Sequence, residues 1–155
     1  MKKSVLFVCL GNICRSPSGE AVLKAKLKDT GLDQEIFVDS AGTSDYHEGD
    51  RADERMQSHA LKRGYDLTSI SRQIRPTDYD RFDYIIAMDR SNYQNLMNKA
   101  PAPKHKQKIF LMTDYSQTHS GDVPDPYYGG SQGFENVLDI LEDSVDGLIR
   151  ELKKY

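Results

Sequence analysis

The stretch SVLFVCLGNICRSP, residues 4–17, decides the fold. Its first half is a short apolar run that ends at Gly11 and Asn12, a pattern typical of a buried strand followed by a turn. Ser16 and Pro17 then begin a helix, because proline is tolerated in the first turn, where its missing N–H needs no partner. This one stretch therefore predicts a strand, a glycine-containing loop and a helix in direct succession.

Strands and helices alternate along the rest of the chain. Short apolar runs predict three further strands, at residues 35–39, 84–88 and 109–111. Helix formers continue the first helix to about residue 28. Helix formers and caps predict two further helices, one over 50–63 and one from Asp89 or Ser91 to about 99. The stretches 40–44 and 113–132 are rich in turn formers and are predicted loops.

The last helix has the clearest periodicity and completes the prediction of the fold. Its apolar side chains recur at steps of three, one or four, which gives one face for packing on a sheet: Phe134, Val137, Leu138, Leu141, Val145, Leu148, Ile149 and Leu152. Strands that alternate with helices predict a parallel sheet covered on both faces. The expected fold is α/β: a three-layer sandwich with a four-stranded parallel sheet flanked by helices, and a phosphate-binding loop after the first strand.

Composition narrows the classes of function. The length of 155 residues fits a single domain over 1–155, and the net charge of -3 argues against a nucleic-acid partner. The longest apolar run, residues 5–10, is too short to span a membrane, and the basic start at residues 1–4 leads into a strand rather than a signal peptide. Two cysteines and four unclustered histidines give no disulfide scaffold and no structural zinc site. We expect a cytoplasmic protein without a metal or a cofactor.

The loop between the first strand and the first helix contains residues that suit an anion-binding site. If the residues after Cys9 curl around one centre, their N–H groups and the helix N-terminus form a cradle for an anion. Gly11 permits such a curl, and Arg15 can hold two phosphate oxygens with its planar fork. The same positive field favours the thiolate, so Cys9 is the expected nucleophile, and Ser16 can donate to its sulfur.

These residues resemble a known family. Cys9 to Ser16, together with the sequence DPYY at residues 125–128, is similar to the low-molecular-weight protein tyrosine phosphatases. Further matching segments are spread over essentially the whole length of the chain: residues 39–43, 72–73, 82–85, 88–89 and 125–129. The resemblance implies a phosphotyrosine phosphatase that forms a phosphocysteine intermediate on Cys9. Asp125 is implied to be the general acid, and its physical purpose is clear because a tyrosine phenolate, with a pKa of about 10, leaves badly without a proton.

The resemblance also implies the substrate pocket. Asn12 and Ser16 match residues that hold the loop in shape, with Ser40 as a supporting partner. The residues implied to surround the substrate are Leu10, Gly11, Asn12, Ile13, Cys14, Ser16, Tyr46, Tyr127 and Tyr128. Aromatic walls suit a phenyl ring and make a slot too deep for phosphoserine. Cys14 matches a cysteine that can form a protective disulfide with the nucleophile.

Several alternatives stay open at the level of sequence. Aspartate between two prolines is also a common turn residue, which leaves Asp122 as the next candidate acid, and Tyr46 is equally consistent with a plain surface position. Some family members have a histidine before the pair Arg72 and Gln73, and here Ser69 or Ser71 stands in that stretch.

Three other functions compete with phosphotyrosine hydrolysis. Arsenate reductases need further cysteines downstream, and this chain has none after Cys14. Protein arginine phosphatases resemble this loop with threonine where Ile13 stands. A non-catalytic phosphate-binding module would have no use for Cys9, Arg15 and Asp125 together. The expected partner is a phosphotyrosine-containing protein, a tyrosine kinase being one candidate, and the expected state is a monomer or weak dimer.

Overall fold

The computed structural model describes residues 2–127 and 130–154. Within this part of the chain, four parallel strands form one sheet in the order β2-β1-β3-β4. The predicted α/β fold with a four-stranded parallel sheet is confirmed. The strands are β1 (Lys3–Cys9), β2 (Ile36–Gly42), β3 (Tyr84–Ala87) and β4 (Ile109–Leu111).

Helices cover both faces of the sheet and give the three layers. The long helices α1 and α6 pack together on one face, and α4 packs on β3 and β4 on the other. A 3₁₀ turn, Met112–Tyr115, follows β4 and packs on α6. The helices are α1 (Arg15–Asp29), α2 (Glu54–Leu61), α3 (Pro76–Arg81), α4 (Arg90–Lys99), α5 (Pro103–Lys106) and α6 (Ser131–Leu152).

The first strand reads as a continuous apolar run because it is buried from both sides. Val5 and Phe7 pack into the cluster beneath α1 and α6, whereas Leu6 and Val8 pack into the cluster on the opposite face of the sheet. All four side chains are fully buried. The eight apolar residues predicted for the face of α6 are also buried, which confirms that helix as a core element.

Two predicted boundaries are wrong for physical reasons. Residues 40–44 were expected to form a loop, but β2 continues to Gly42, because it stays paired with β1 as far as Cys9. A side chain at Gly42 would place its Cβ 2.8 Å from the carbonyl oxygen of Leu10, so this close approach needs glycine. The helix expected over 50–63 begins only at Glu54, because Asp53 caps its first turn.

Short elements escaped the sequence patterns. The helices α3 and α5 each begin at a proline and run for six and four residues, too short for an apolar periodicity. The predicted loop 113–132 is shorter than expected. Its first residues belong to the 3₁₀ turn, and its last two belong to α6, which begins at Ser131.

The topology fixes where a ligand can bind. β1 lies between β2 and β3, so the chain passes from β1 to its neighbour on one side and then crosses over to its neighbour on the other side. The crevice at such a switch point opens at the carboxyl end of the strand, and Cys9 is the last residue of β1. Among the described residues, no helix is long and apolar enough to cross a membrane.

Candidate active site

The loop after β1 is held in an uncommon backbone conformation by one side chain. Asn12 has φ 56°, in the left-handed region that residues other than glycine rarely adopt. Its Nδ2 donates to Ser16 Oγ at 2.8 Å and to Ser40 Oγ at 3.0 Å, and its Oδ1 accepts from the N–H of Arg72 at 3.0 Å. These three hydrogen bonds, of which the two to the serines are buried, offset the strain and fix the curvature of the loop.

The Cys9 thiol lies directly beside a serine hydroxyl. Cys9 Sγ and Ser16 Oγ are 3.0 Å apart, and both residues are almost fully buried. Ser16 Oγ already accepts a hydrogen bond from Asn12, so its own proton is free for an acceptor. The sulfur is nearer than the other acceptor in reach, the carbonyl oxygen of Ala41 at 3.4 Å. Ser16 is therefore arranged to donate to a thiolate on Cys9.

A buried carboxylate anchors this group of side chains from below. Ser40 Oγ, the second acceptor of Asn12, donates to Glu20 Oε1 at 2.6 Å. The other oxygen of Glu20 accepts from Lys24 Nζ at 2.5 Å, which neutralises its charge at the protein surface. Glu20 on α1 and Ser40 on β2 thereby brace the loop between them.

Arg15 is a buried cation held by three groups. Its Nη1 donates to Asp89 Oδ2 at 2.6 Å and to the carbonyl of Val123 at 3.0 Å, and its Nη2 lies 3.7 Å from Asp125 Oδ2. Burial alone would lower the pKa of Arg15, but the charge of Cys9 and the hydrogen bond with Asp89 raise it above the ordinary value. The guanidinium is therefore a permanent positive charge next to the thiol.

Asp125 and Asp122 differ in what occupies their carboxylates. Asp125 Oδ1 accepts from the N–H of Tyr127 at 3.0 Å, while its other oxygen faces Arg15 and the cavity, and its side chain is 38% exposed. Asp122 instead accepts from the N–H and Nε of Arg90 at the start of α4. Of the two candidate acids, Asp125 alone lies in the cavity that contains Cys9.

The cavity above the loop has a volume of about 520 Å³ and aromatic walls. Tyr46 is 84% exposed, and its ring meets the ring of His47 edge-on at 4.8 Å between centroids. His47 in turn lies 6.1 Å from the ring of Tyr127 on the other side of the opening. The cavity is lined by Cys9, Leu10, Gly11, Ile13, Cys14, Arg15, Ser44, Tyr46, His47, Asp125 and Tyr127.

Most of the site residues predicted from the sequence meet at this cavity. Two exceptions are Asn12 and Ser16, whose side chains lie behind the loop and bond within the protein, as Ser40 does. Tyr128 lies outside the residues that the structure describes. The roles of these residues in catalysis and binding stay predictions.

Sequence reasoning missed several contacts of the site. Ser44 and His47 line the cavity, but neither belongs to a chemical motif. Asp89 was predicted only as a helix cap; its Oδ1 does accept from the N–H of Asn92 at 2.7 Å, and its Oδ2 holds Arg15. The sequence could have placed Asp89 near the site, because it follows β3 and the carboxyl ends of β1 and β3 lie at the same edge of the sheet.

The stretch before Arg72 also reaches the loop. Ser71 Oγ donates to the carbonyl oxygen of Gly11 at 2.9 Å, so of the two serines considered there, Ser71 bonds to the loop. Cys14 lies in the same loop, buried and without a disulfide. Burial, and then the negative charge of Asp53, raise the pKa of the Cys14 thiol well above its usual range. Among the described residues, no group of three or more potential ligands could hold a metal ion.

The fold and the site define a class. A thiol and an arginine on a strand-to-helix loop at the switch point of a parallel sheet, facing a carboxylate across a cavity, are the arrangement of a cysteine-dependent phosphatase.

Comparison with known proteins gives the family. The family model described as low molecular weight phosphotyrosine protein phosphatase matches residues 4–155. A human low molecular weight phosphotyrosine protein phosphatase is 44% identical over 136 residues, 87% of this chain and 86% of its own. The chain belongs to the low molecular weight phosphotyrosine protein phosphatase family.

Solved structures agree in fold. A protein tyrosine phosphatase from Entamoeba histolytica, crystallised with Hepes in its active site, is 49% identical, with a TM-score of 0.96 over 99% of this chain and 98% of its own. A Drosophila arginine phosphatase is 34% identical, with a TM-score of 0.91 over 99% of both chains. The fold therefore extends over relatives whose names give two different substrates.

Proposed function

We propose that the chain hydrolyses phosphotyrosine in proteins, and small aryl phosphates, through a phosphocysteine intermediate on Cys9. No metal and no cofactor takes part in the proposed reaction. One observation carries the proposal: a buried thiol with a serine donor at 3.0 Å shares a cavity with Arg15 and with the exposed carboxylate of Asp125.

In the first step, the fork of Arg15 and the N–H groups of the loop bind the phosphate oxygens. The thiolate of Cys9 attacks phosphorus in line, so that an S–P bond forms while the bond to the phenolic oxygen breaks. Protonated Asp125 gives its proton to that oxygen, and tyrosine leaves as a neutral phenol. The products are the dephosphorylated protein and phosphocysteine.

In the second step, Asp125, now a carboxylate, takes a proton from a water molecule. The oxygen of this water attacks phosphorus while the S–P bond breaks, and inorganic phosphate and the Cys9 thiolate result. Ser16 stabilises the departing thiolate through its hydrogen bond. Arg15 stays charged throughout and offsets the negative charge on the phosphoryl oxygens.

The walls of the cavity favour phosphotyrosine over the other phosphoamino acids. Tyr46, His47 and Tyr127 surround the opening with rings, which can pack on the flat faces of a phenyl group. The apolar Ile13 offers no hydrogen-bond acceptor to a guanidinium, which argues against phosphoarginine. A phosphoarginine phosphatase remains the second candidate because of the likeness to the Drosophila protein.

The remaining proposals concern regulation by oxidation, cellular location, partner and oligomeric state. Cys14 is proposed to form a disulfide with oxidised Cys9 and so protect it from irreversible oxidation. A working thiolate needs a reducing compartment, so we propose the cytoplasm as the location. The proposed partner is a phosphotyrosine-containing protein, with a tyrosine kinase as a candidate, and the proposed state in solution is a monomer or weak dimer, which light scattering would test.

The test replaces the nucleophile. Cys9→Ser should abolish turnover of an aryl phosphate while phosphate binding, followed by calorimetry, and thermal stability persist. Rapid acid quenching of the wild type with substrate should give a protein heavier by one phosphoryl group, and peptide mapping should assign that group to Cys9. Turnover by the Cys9→Ser variant, or a phosphoryl group on another residue, would contradict the proposal.

A further inference from the structure

One arginine outside the loop holds the segment that carries Asp125. Arg55 Nη2 donates to the carbonyl oxygen of Tyr127 at 3.0 Å. The guanidinium carbon also lies 5.4 Å from the centre of the Tyr127 ring and 5.0 Å from that of Phe134, at the start of α6. Arg55 therefore contacts both the backbone and the ring of the residue that forms one wall of the cavity.

The same tyrosine orients the proposed acid. The N–H of Tyr127 donates to Asp125 Oδ1 at 3.0 Å, whereas the contact of Asp125 with Arg15 is longer, at 3.7 Å. The closest contact that the structure gives for the Asp125 carboxylate is thus to the backbone of Tyr127. Arg55 fixes that backbone from the carbonyl side, so a shift of Arg55 would be passed on to the carboxylate.

Arg55 is itself fixed relative to the nucleophile loop. Its Nε and Nη2 donate to the two carboxylate oxygens of Asp53 at 3.2 and 3.0 Å. The backbone N–H of Asp53 donates to the carbonyl oxygen of Ile13 at 2.8 Å. A continuous set of contacts therefore runs from the loop of Cys9 through Asp53 and Arg55 to Tyr127 and Asp125.

We propose that Arg55 is a positioning residue that sets the place of Asp125 relative to Cys9. It does not touch the reacting atoms; it acts through Tyr127. The inference rests on the proposed function, because it takes Asp125 as the general acid. A shift of about an ångström in a catalytic group is enough to slow a reaction substantially.

A contribution to the stability of the fold does not by itself explain the contacts of Arg55. The side chain of Arg55 is 49% exposed and that of its partner Asp53 is 10% exposed, and an ion pair that is open to solvent on the arginine side contributes little to stability. Arg63 is the matched comparison, because it follows the same helix and pairs with Glu135, Asp139 and Glu142 of α6. It joins α2 to α6 as Arg55 does, but it gives no hydrogen bond to Tyr127.

The experiment compares Arg55→Met with Arg63→Met over a series of substituted phenyl phosphates. We expect Arg55→Met to lower kcat/KM, which reports the step in which the phenol leaves, about tenfold for phenols that leave poorly and to have little effect on it for acidic phenols. Arg55→Lys should recover only part of the loss, because an ammonium lacks the fork that holds Asp53 and reaches Tyr127 together. Arg63→Met should lower the melting temperature without changing the dependence on the leaving group.

A double-mutant cycle with Asp125→Asn separates this inference from the proposed function. If Arg55 acts through Asp125, Arg55→Met should cause no further loss in the Asp125→Asn protein. Independent losses in the double variant, or an equal loss for every leaving group, would overturn the inference while the proposed function stands. A wild type that does not hydrolyse aryl phosphates would overturn both. Should Arg55→Met fail to fold, Arg55→Lys takes its place in the cycle.

Discussion

Ser16 Oγ lies 3.0 Å from Cys9 Sγ and accepts a hydrogen bond from Asn12 at 2.8 Å. The amide of Asn12 thus occupies one side of the hydroxyl, and the proton of the hydroxyl is left for the sulfur. In a cysteine phosphatase this donor matters most when the sulfur leaves phosphorus as a thiolate, because a hydrogen bond to an ion is stronger than one to a neutral thiol.

We expect Ser16→Ala to slow the breakdown of phosphocysteine more than its formation. The loss of a hydrogen bond to a charged group should lower kcat by about ten- to a hundredfold. Stopped-flow measurement with an aryl phosphate should then show a burst of phenol equal to the enzyme concentration. Ser18→Ala is the control, because the Ser18 hydroxyl is also buried in α1 but donates to the carbonyl of Cys14. A similar loss in both variants, without a burst, would argue against the role of Ser16.

The pair Cys9 and Cys14 should respond to peroxide in a pH-dependent way. Burial and Asp53 raise the pKa of Cys14, so this thiol is protonated at neutral pH. Its thiolate is the form that would attack oxidised Cys9, and the fraction of thiolate grows with pH below that pKa. Once Cys9 is oxidised, closure of the disulfide should therefore accelerate by about tenfold per pH unit near neutrality.

Mass spectrometry after timed quenching with an alkylating agent measures this closure. Asp53→Asn removes the second cause of the raised pKa and should speed closure at a fixed pH. Sulfinic acid on Cys9 with Cys14 still a free thiol would count against the pair.

The strands and helices that were predicted correctly are those whose sequence pattern lies within a single segment of the chain. The apolar run of β1 and the periodicity of α6 each lie within one segment, and both elements were predicted. The extension of β2 to Gly42 was not, because residues 40–42 have no strand pattern of their own and are paired by β1. Short helices such as α3 likewise depend on their surroundings.

The residues of the site likewise divide into those that lie in one sequence motif and those that are brought together only by the fold. Cys9 and Arg15 sit in one motif, and their proximity follows from the loop between them. Asp125 is far along the chain, and only the resemblance to a family suggested that it belongs to the site. Asp89 could have been placed near Cys9 because it follows a neighbouring strand, although its contact with Arg15 could not be read from the sequence. The contact of Arg55 with Tyr127 depends on the packing at the start of α2, which no pattern in the sequence reports.

The last helix contains a glycine whose replacement should destabilise the protein. A Cβ at Gly147 would lie 1.9 Å from the carbonyl oxygen of Tyr115, so the 3₁₀ turn or α6 would have to move. Glycine to alanine within a helix usually stabilises by up to about 1 kcal/mol, but overpacking here should cost about 2 kcal/mol or more. Gly133→Ala in the same helix, whose nearest contact would be an ordinary 3.8 Å, should be neutral or stabilising in denaturant titrations. Equal stability of the two variants would contradict the packing of the 3₁₀ turn on α6.

Discrimination between the two candidate substrates should depend on Ile13. This side chain lines the cavity and is almost fully buried. It offers an apolar surface to the ring of phosphotyrosine, but it has no hydrogen-bond acceptor for the guanidinium of phosphoarginine. We expect kcat/KM for a phosphotyrosine peptide to exceed that for a phosphoarginine peptide by about a hundredfold or more. Ile13→Thr should narrow the ratio. Faster hydrolysis of phosphoarginine by the unmodified protein would reverse the proposed substrate class.

The role of Asp125 can be separated from that of a turn residue by the leaving group. If Asp125 gives a proton to the departing phenol, Asp125→Asn should lower kcat/KM, which reports the step in which the phenol leaves, by about a hundredfold or more for phenols that leave poorly. The loss should shrink for acidic phenols, since their phenolates leave without a proton. A turn residue whose loss merely loosens the loop would change all the rates together.

Asp122→Asn is the matched control for that experiment. Asp122 lies in the same segment, but its carboxylate accepts from the N–H and Nε of Arg90, and it is outside the cavity. Its replacement should leave the dependence on the leaving group as in the wild type. Both variants are characterised by kcat/KM for a series of substituted phenyl phosphates, with thermal melts to check the fold. If Asp125→Asn and the wild type showed parallel dependence on the pKa of the phenol, proton donation would have to come from elsewhere, because Asp125 would then contribute only to the shape of its loop.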